Sequence, residues 1–275
     1  MQIHLVSFFS KILLNVALKF SRIAASKLFE MLDKSNIPTG SGSHGMLGGP
    51  PSQLKILLLA GLLSLLGFSF AANFQISAVS LGVGFYAVAT VLIIWLFGRG
   101  YPHPTLGKGN AVTLGRLVLV SFLAANLLAV ENPWLVVVIA IFALVLDGVD
   151  GFLARKEGRV SDFGARIDME VDSALALVLA LNVWIAGITG PVILLLGAPR
   201  YLFIFAARFV SFLNKPLPYS LARRVISVVQ IASLIGLNSP IIPSFLAPAI
   251  ALIVAGLLIW SFGRDIIWLW RSRGS

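Results

Sequence analysis

Four aspartates are the residues in this chain best placed to do chemistry. Asp147 and Asp150 stand three residues apart, and Asp168 and Asp172 four apart. On helices, each of those spacings puts both carboxylates on one face. The short polar loop between the two pairs makes the helices antiparallel neighbours, so the four carboxylates converge at one end of the pair. A bare cluster of that kind repels itself, whereas two divalent cations neutralise it. All-oxygen ligation from rigid helices suits Mg²⁺ or Mn²⁺ better than Ca²⁺. Paired hard cations fit in-line displacement at phosphorus, where entering and leaving oxygens both need stabilising. Gly151 and Ala154 lie on the face next to Asp147 and Asp150, and their small size leaves room for a flat group. Glu170 sits about 200° round the helix from Asp168 and falls outside the set.

The surroundings make that cluster unusual. Of 275 residues, 58% are hydrophobic and only 12% are charged, against roughly a quarter charged in soluble domains. A mean hydropathy of +0.96 excludes a water-soluble enzyme, a disordered tail and a coiled coil, and leaves a polytopic, all-α integral membrane protein. Seven of the 11 acidic residues fall between Asp147 and Asp172. The absence of cysteine removes disulfides, thiolate metal sites and cysteine nucleophiles. The net charge of +10 is what cytoplasmic loops facing anionic lipid require. No basic stripe interleaved with aromatics points to nucleic acid.

Crossing a hydrocarbon core about 30 Å thick takes roughly 20 apolar residues in a helix. Such runs recur at about 54–72, 77–97, 112–130, 133–153, 168–187, 191–212, 224–238 and 244–263, eight in all. Basic residues crowd the connections near 99–108, 155–166 and 213–224 and the tail, and are missing from the alternate connections. This predicts both termini and the aspartate site on the cytoplasmic side. The expected organisation is an amphipathic membrane-surface helix over 1–38, a Gly/Ser/Pro linker over 39–53, two accessory spans over 54–97 and a six-span domain over 98–275. Trp95, Trp134, Trp260, Trp268 and Trp270 are expected at span ends as interface anchors. Asp162 is expected to cap the helix that follows it.

The pattern Asp147-x₂-Asp150-Gly151-x₂-Ala154-Arg155-x₈-Gly164-x₃-Asp168-x₃-Asp172 resembles the signature of the CDP-alcohol phosphotransferases at all eight defined positions. Upstream, Asn110-x₂-Thr113-x₂-Arg116 is similar to the segment that opens the family's first core helix. The likeness covers about 108–263 and leaves out the first two spans. It implies transfer of a substituted phosphate from a CDP-linked donor, most often CDP-diacylglycerol, to an alcohol, with release of CMP. It implies that Asp147, Asp150 and Asp168 hold two Mg²⁺ or Mn²⁺ ions. Asp172 is implied to add a metal contact and to act as general base on the acceptor hydroxyl. Gly151, Ala154 and Gly164 are implied to give the nucleotide close approach, and Asn110, Thr113, Arg116 and Arg155 to contact it.

For the acceptor, Arg200 and Arg208 lie eight apart, as in the arginine pair of phosphatidylglycerophosphate synthases, and Arg224, Ser227 and Gln230 resemble part of a basic segment of those enzymes. Tyr201 and Ile226 depart from that pattern. Arg200 reads as an intramembrane charge near the middle of its span, by default a functional residue. The basic set Arg200, Arg208, Lys215, Arg223 and Arg224 suits a phosphorylated acceptor such as glycerol 3-phosphate or an inositol phosphate. The expected setting is a bacterial cytoplasmic membrane, the first two spans forming a homodimer contact or shielding a lipid groove. Two rival classes also cluster carboxylates on helices. A Mg²⁺-dependent prenyltransferase calls for a second aspartate-rich motif, and a divalent-cation transporter for acids nearer the bilayer midplane.

Overall fold

The computed structural model describes residues 52–103, 105–129, 132–210 and 220–271. The expected surface helix over 1–38, nearly all of the linker and Lys215 lie outside them. Among the described residues there are helices and no strands. They run α1 (Ser52–Ala71), α2 (Ile76–Gly98), α3 (Lys108–Asn126), α4 (Pro133–Lys156), α5 (Asp162–Ile185), a 3₁₀ turn (Pro191–Ile193) leading into α6 (Leu194–Gly197), α7 (Pro199–Phe209), α8 (Leu221–Leu237) and α9 (Ala247–Arg271). The chain is an all-α polytopic integral membrane protein.

Most of these helices are apolar all round, with one stripe turned to protein and the rest to lipid. On α1 the stripe is Leu54, Leu57, Leu58, Gly61 and Leu65, while Ile56, Leu59, Leu63 and Phe70 remain exposed. The exception is α3. Its apolar window is 83% buried, against 17–33% in α1, α2, α4 and α9, and its hydropathy is the lowest of the five. It packs against α1, α2, α4 and α5 and is the axle of the fold. A helix touched on all sides has little lipid to face, so it can carry Asn110, Thr113 and Arg116. Far from those residues, Asn126 donates to Asn182 across α3 and α5 at 3.3 Å, and Asn238 donates to the Leu179 carbonyl at 3.1 Å. Buried amides of this kind tie helices together where lipid offers no partner.

The eight expected runs do not all become straight spans. Among the described residues, five helices are long and apolar enough to cross, with a sixth crossing if the bent pair Pro191–Gly197 and Pro199–Phe209 counts as one. That pair turns by 70°. Gly197 is wedged on α5, where a Cβ would lie 2.8 Å from the Leu177 Cα, and Pro199 then opens a new helix without an N–H to continue the old one. Arg200 stands in the first turn of α7, just past the break. α5 has 24 residues, yet every 18-residue stretch of it contains Asp168, Glu170 and Asp172. Its low hydropathy is the price of carrying the acids. α8, at 17 residues, is short.

Candidate active site

The site is assembled where α3, α4 and α5 meet. Asn132 caps α4 by accepting from the Trp134 N–H at 3.0 Å, with Pro133 at the first helical position. α5 is capped by Ser161, whose hydroxyl accepts from the Gly164 N–H at 3.1 Å. This corrects the expectation for Asp162. That residue is the first of the helix, in the turn where the macrodipole favours an acid. Glu157, just past the end of α4, accepts from the Lys108 N–H at 2.9 Å and so closes the start of α3. Arg159 donates to Thr105 at 2.5 Å. The α4–α5 connection is thereby fastened to the α2–α3 connection at the aspartate end of the bundle.

All four aspartates converge, and they converge on Arg116. Its Nη1 lies 3.0 Å from Asp147, 2.9 Å from Asp150 and 2.6 Å from Asp168, and its Nη2 donates to Asp172. Arg116 is 0% exposed and Asp150 4%. Asp147, Asp168 and Asp172 are partly open, at 37%, 36% and 45% of their side chains. Thr113, one turn before Arg116, donates to Asp150 at 3.0 Å. Asp147, Asp150 and Asp168 each offer an oxygen within 4.8 Å of the others. Three carboxylates so gathered, open on one side, make a donor set for a hard divalent cation. Asp172 lies beside that trio, joined to it through Arg116.

The small residues of the signature have packing neighbours of their own. A Cβ on Gly164 would lie 2.8 Å from Asn110 Oδ1, and one on Gly151 would lie 3.3 Å from the Arg155 Nη1. Asn110 is buried and donates to the Leu106 carbonyl at 2.6 Å and to the Tyr101 hydroxyl at 3.2 Å. Tyr101 in turn donates to the Leu106 carbonyl at 2.7 Å, and burial raises its phenol above the ordinary pKa, so it stays a donor. The Leu106 N–H donates to Gln53 of α1 at 3.1 Å. Phe97 at the end of α2 stacks on Tyr101 and meets Phe163 of α5 edge-on. These contacts tie the two leading helices to the start of α3, a role that hydropathy alone does not signal.

The residues expected for the acceptor are not drawn into the aspartate cluster. Arg200 pairs with Glu170 at 2.5 Å, on the flank of α5 turned away from Asp168. Arg208 and Arg224 are exposed, near the end of α7 and the start of α8. Gln230 donates to the Leu196 carbonyl at 2.5 Å, bracing the 70° bend. Asp265, one of the four acids outside the 147–172 window, is buried and pairs with Arg223 at 2.9 Å and Arg264 at 3.5 Å.

Comparison with known proteins adds one finding. The family model described as CDP-alcohol phosphatidyltransferase matches residues 108–261, more than half of the chain and the stretch from the first residue of α3 into α9. No curated protein and no solved structure matches the chain.

Proposed function

The chain belongs to the CDP-alcohol phosphatidyltransferase family, and from that premise we propose how its site moves a phosphatidyl group. Members of the family transfer a substituted phosphate from a CDP-alcohol, so the protein is a transferase of the membrane. The finer reading is that CDP-diacylglycerol is the donor and a phosphorylated alcohol, glycerol 3-phosphate or an inositol phosphate, the acceptor. The observation that carries the phosphoryl-transfer chemistry is the meeting of Asp147, Asp150, Asp168 and Asp172 at one point between three helices.

Asp147, Asp150 and Asp168 would hold Mg²⁺ or Mn²⁺, with Asp172 beside them, and the bound ions supply charge stabilisation to the diphosphate. Asp172, the most open of the four, takes the proton of the acceptor hydroxyl. The hydroxyl oxygen then bonds to the lipid-linked phosphorus, the bond from that phosphorus to the bridging oxygen breaks, and CMP leaves. Asn110, Thr113 and Arg116 line the α3 side, and Gly151, Ala154, Arg155 and Gly164 the α4 and α5 side, of the space for the nucleotide. Arg200, Arg208 and Arg224 draw the acceptor phosphate. Placing the site on the cytoplasmic face, where the basic loops lie, gives it access to soluble alcohols and CMP.

The test is to incubate membranes carrying the protein with CDP-diacylglycerol, Mg²⁺ or Mn²⁺, and a panel of free and phosphorylated alcohols. CMP release with lipid product from one alcohol supports the proposal and names the acceptor. Cation flux without CMP release overturns it.

A further inference from the structure

The Nη1 of Arg116 stands within 3.0 Å of one oxygen from each of Asp147, Asp150 and Asp168. Those are the same three carboxylates that gather as a cation donor set. A terminal guanidinium nitrogen has two hydrogens, so three carboxylates around it hold it as a point charge as much as a hydrogen-bonding fork. It lies where a bound cation would compensate the same oxygens. The Nε of Arg116 is buried and finds no partner among the described residues. Buried donors nearly always have one. A side chain with an overcommitted end and an orphaned Nε is built for more than one position.

We propose that Arg116 is the resident counter-ion of the metal-free site, and that divalent cations and its guanidinium compete for the same carboxylate oxygens. Cation binding then releases Arg116 from Asp147 and Asp168 and makes it available to the donor's diphosphate. The proposal rests on the reading of the aspartates as a cation site given above. Four carboxylates against one guanidinium leave three negative charges uncompensated, so the cluster still attracts divalent cations with Arg116 in place. Asp147, Asp168 and Asp172 are open while Arg116 lies beneath them, so ions reach the carboxylates without passing it. Asp150 stays tied to α3 through Thr113 in either state. The exchange sets an order of events, cation first and nucleotide second, because the arginine is not free to meet the diphosphate until the ions have taken its place. Arg116 acts here as a positioning residue for metal and donor.

The test uses the purified full chain in detergent with Mn²⁺ alone, without donor. Arg116→Gln removes the competitor, and Mn²⁺ affinity, read by calorimetry or by the free-ion electron paramagnetic resonance signal, should rise at least about tenfold, within the usual range for linked sites. In the wild-type protein, phenylglyoxal should leave Arg116 unmodified without metal and label it once Mn²⁺ is bound, read by mass spectrometry, with exposed Arg155 as the internal control. This second measurement decides the matter if the variant does not fold. Unchanged or weaker Mn²⁺ binding by a folded Arg116→Gln overturns the proposal, as does labelling of Arg116 that is indifferent to Mn²⁺. If wild type binds no Mn²⁺ at all, the cation-site reading itself falls; if it binds Mn²⁺ without competition, only the counter-ion role does.

Discussion

Gly109 of α3 and Ala154 of α4 touch so closely that a Cβ on Gly109 would stand 3.0 Å from the Ala154 Cβ and 2.9 Å from the Asp150 carbonyl oxygen. This contact sets the distance between the helix that carries Thr113 and Arg116 and the helix that carries Asp147 and Asp150. Gly109→Val should therefore damage both stability and chemistry. Overpacking of this kind costs about 1–3 kcal/mol, and a lowered melting temperature together with loss of CMP release would register it. A variant with wild-type stability and turnover would show that the interface yields freely.

Asp172 and Asp150 should separate by function. Asp172→Asn removes the proposed base and should lower transfer by about 10²–10⁴-fold while Mn²⁺ still binds, since Asp147, Asp150 and Asp168 form the gathered trio without it. Asp150→Asn should instead lose Mn²⁺ binding. Calorimetry with Mn²⁺ beside a CMP-release assay distinguishes them, and full turnover by Asp172→Asn removes the base role.

Gln53 lies far from the aspartates in sequence, yet it holds the Leu106 N–H whose carbonyl receives Asn110 and Tyr101. Gln53→Ala should cost about 1 kcal/mol of stability and should raise KM for the CDP-linked donor more than it lowers kcat. Gln53→Glu keeps the acceptor oxygen and should restore KM. Equal losses in both variants, confined to stability, would reduce the residue to a packing role.

Arg200 is held by Glu170 at the bend and not by the clustered aspartates. If it draws the acceptor phosphate, Arg200→Ala should raise KM for a phosphorylated alcohol severalfold and leave donor KM unchanged. A donor effect of equal size would place Arg200 on the other substrate.

The meeting of four aspartates was legible from spacing alone, because i,i+3 and i,i+4 pairs on adjoining helices have little choice of direction. Their partner was not. Arg116 reaches Asp150, Asp168 and Asp172 across 34, 52 and 56 residues, and nothing local says that α3 is clasped on every side. The run at 191–212 has the composition of a span, but hydropathy counts residues without sensing direction. Only the wedging of Gly197 against α5 together with Pro199 turns that run by 70°. Glu157 closes a helix start that lies 49 residues earlier, a pairing that no local pattern signals.

The near-total burial of α3 bears on how the protein is made. A lone Arg near the middle of a helix resists partitioning into lipid by ~2.5–3.5 kcal/mol, and α3 emerges from the ribosome before any of its aspartates. Directly before it comes the α1–α2 hairpin, zipped by the Tyr86 hydroxyl on the Leu58 carbonyl. Gly82 of that hairpin admits Ser121 and Ala125 at contact distance, a Cβ there being 2.8 Å from the Ala125 Cβ. Among the described residues, the hairpin is thus the first protein surface on which α3 can settle. That face offers packing to a helix that resists lipid, ahead of α4 and α5, which bring the carboxylates that pair with Arg116.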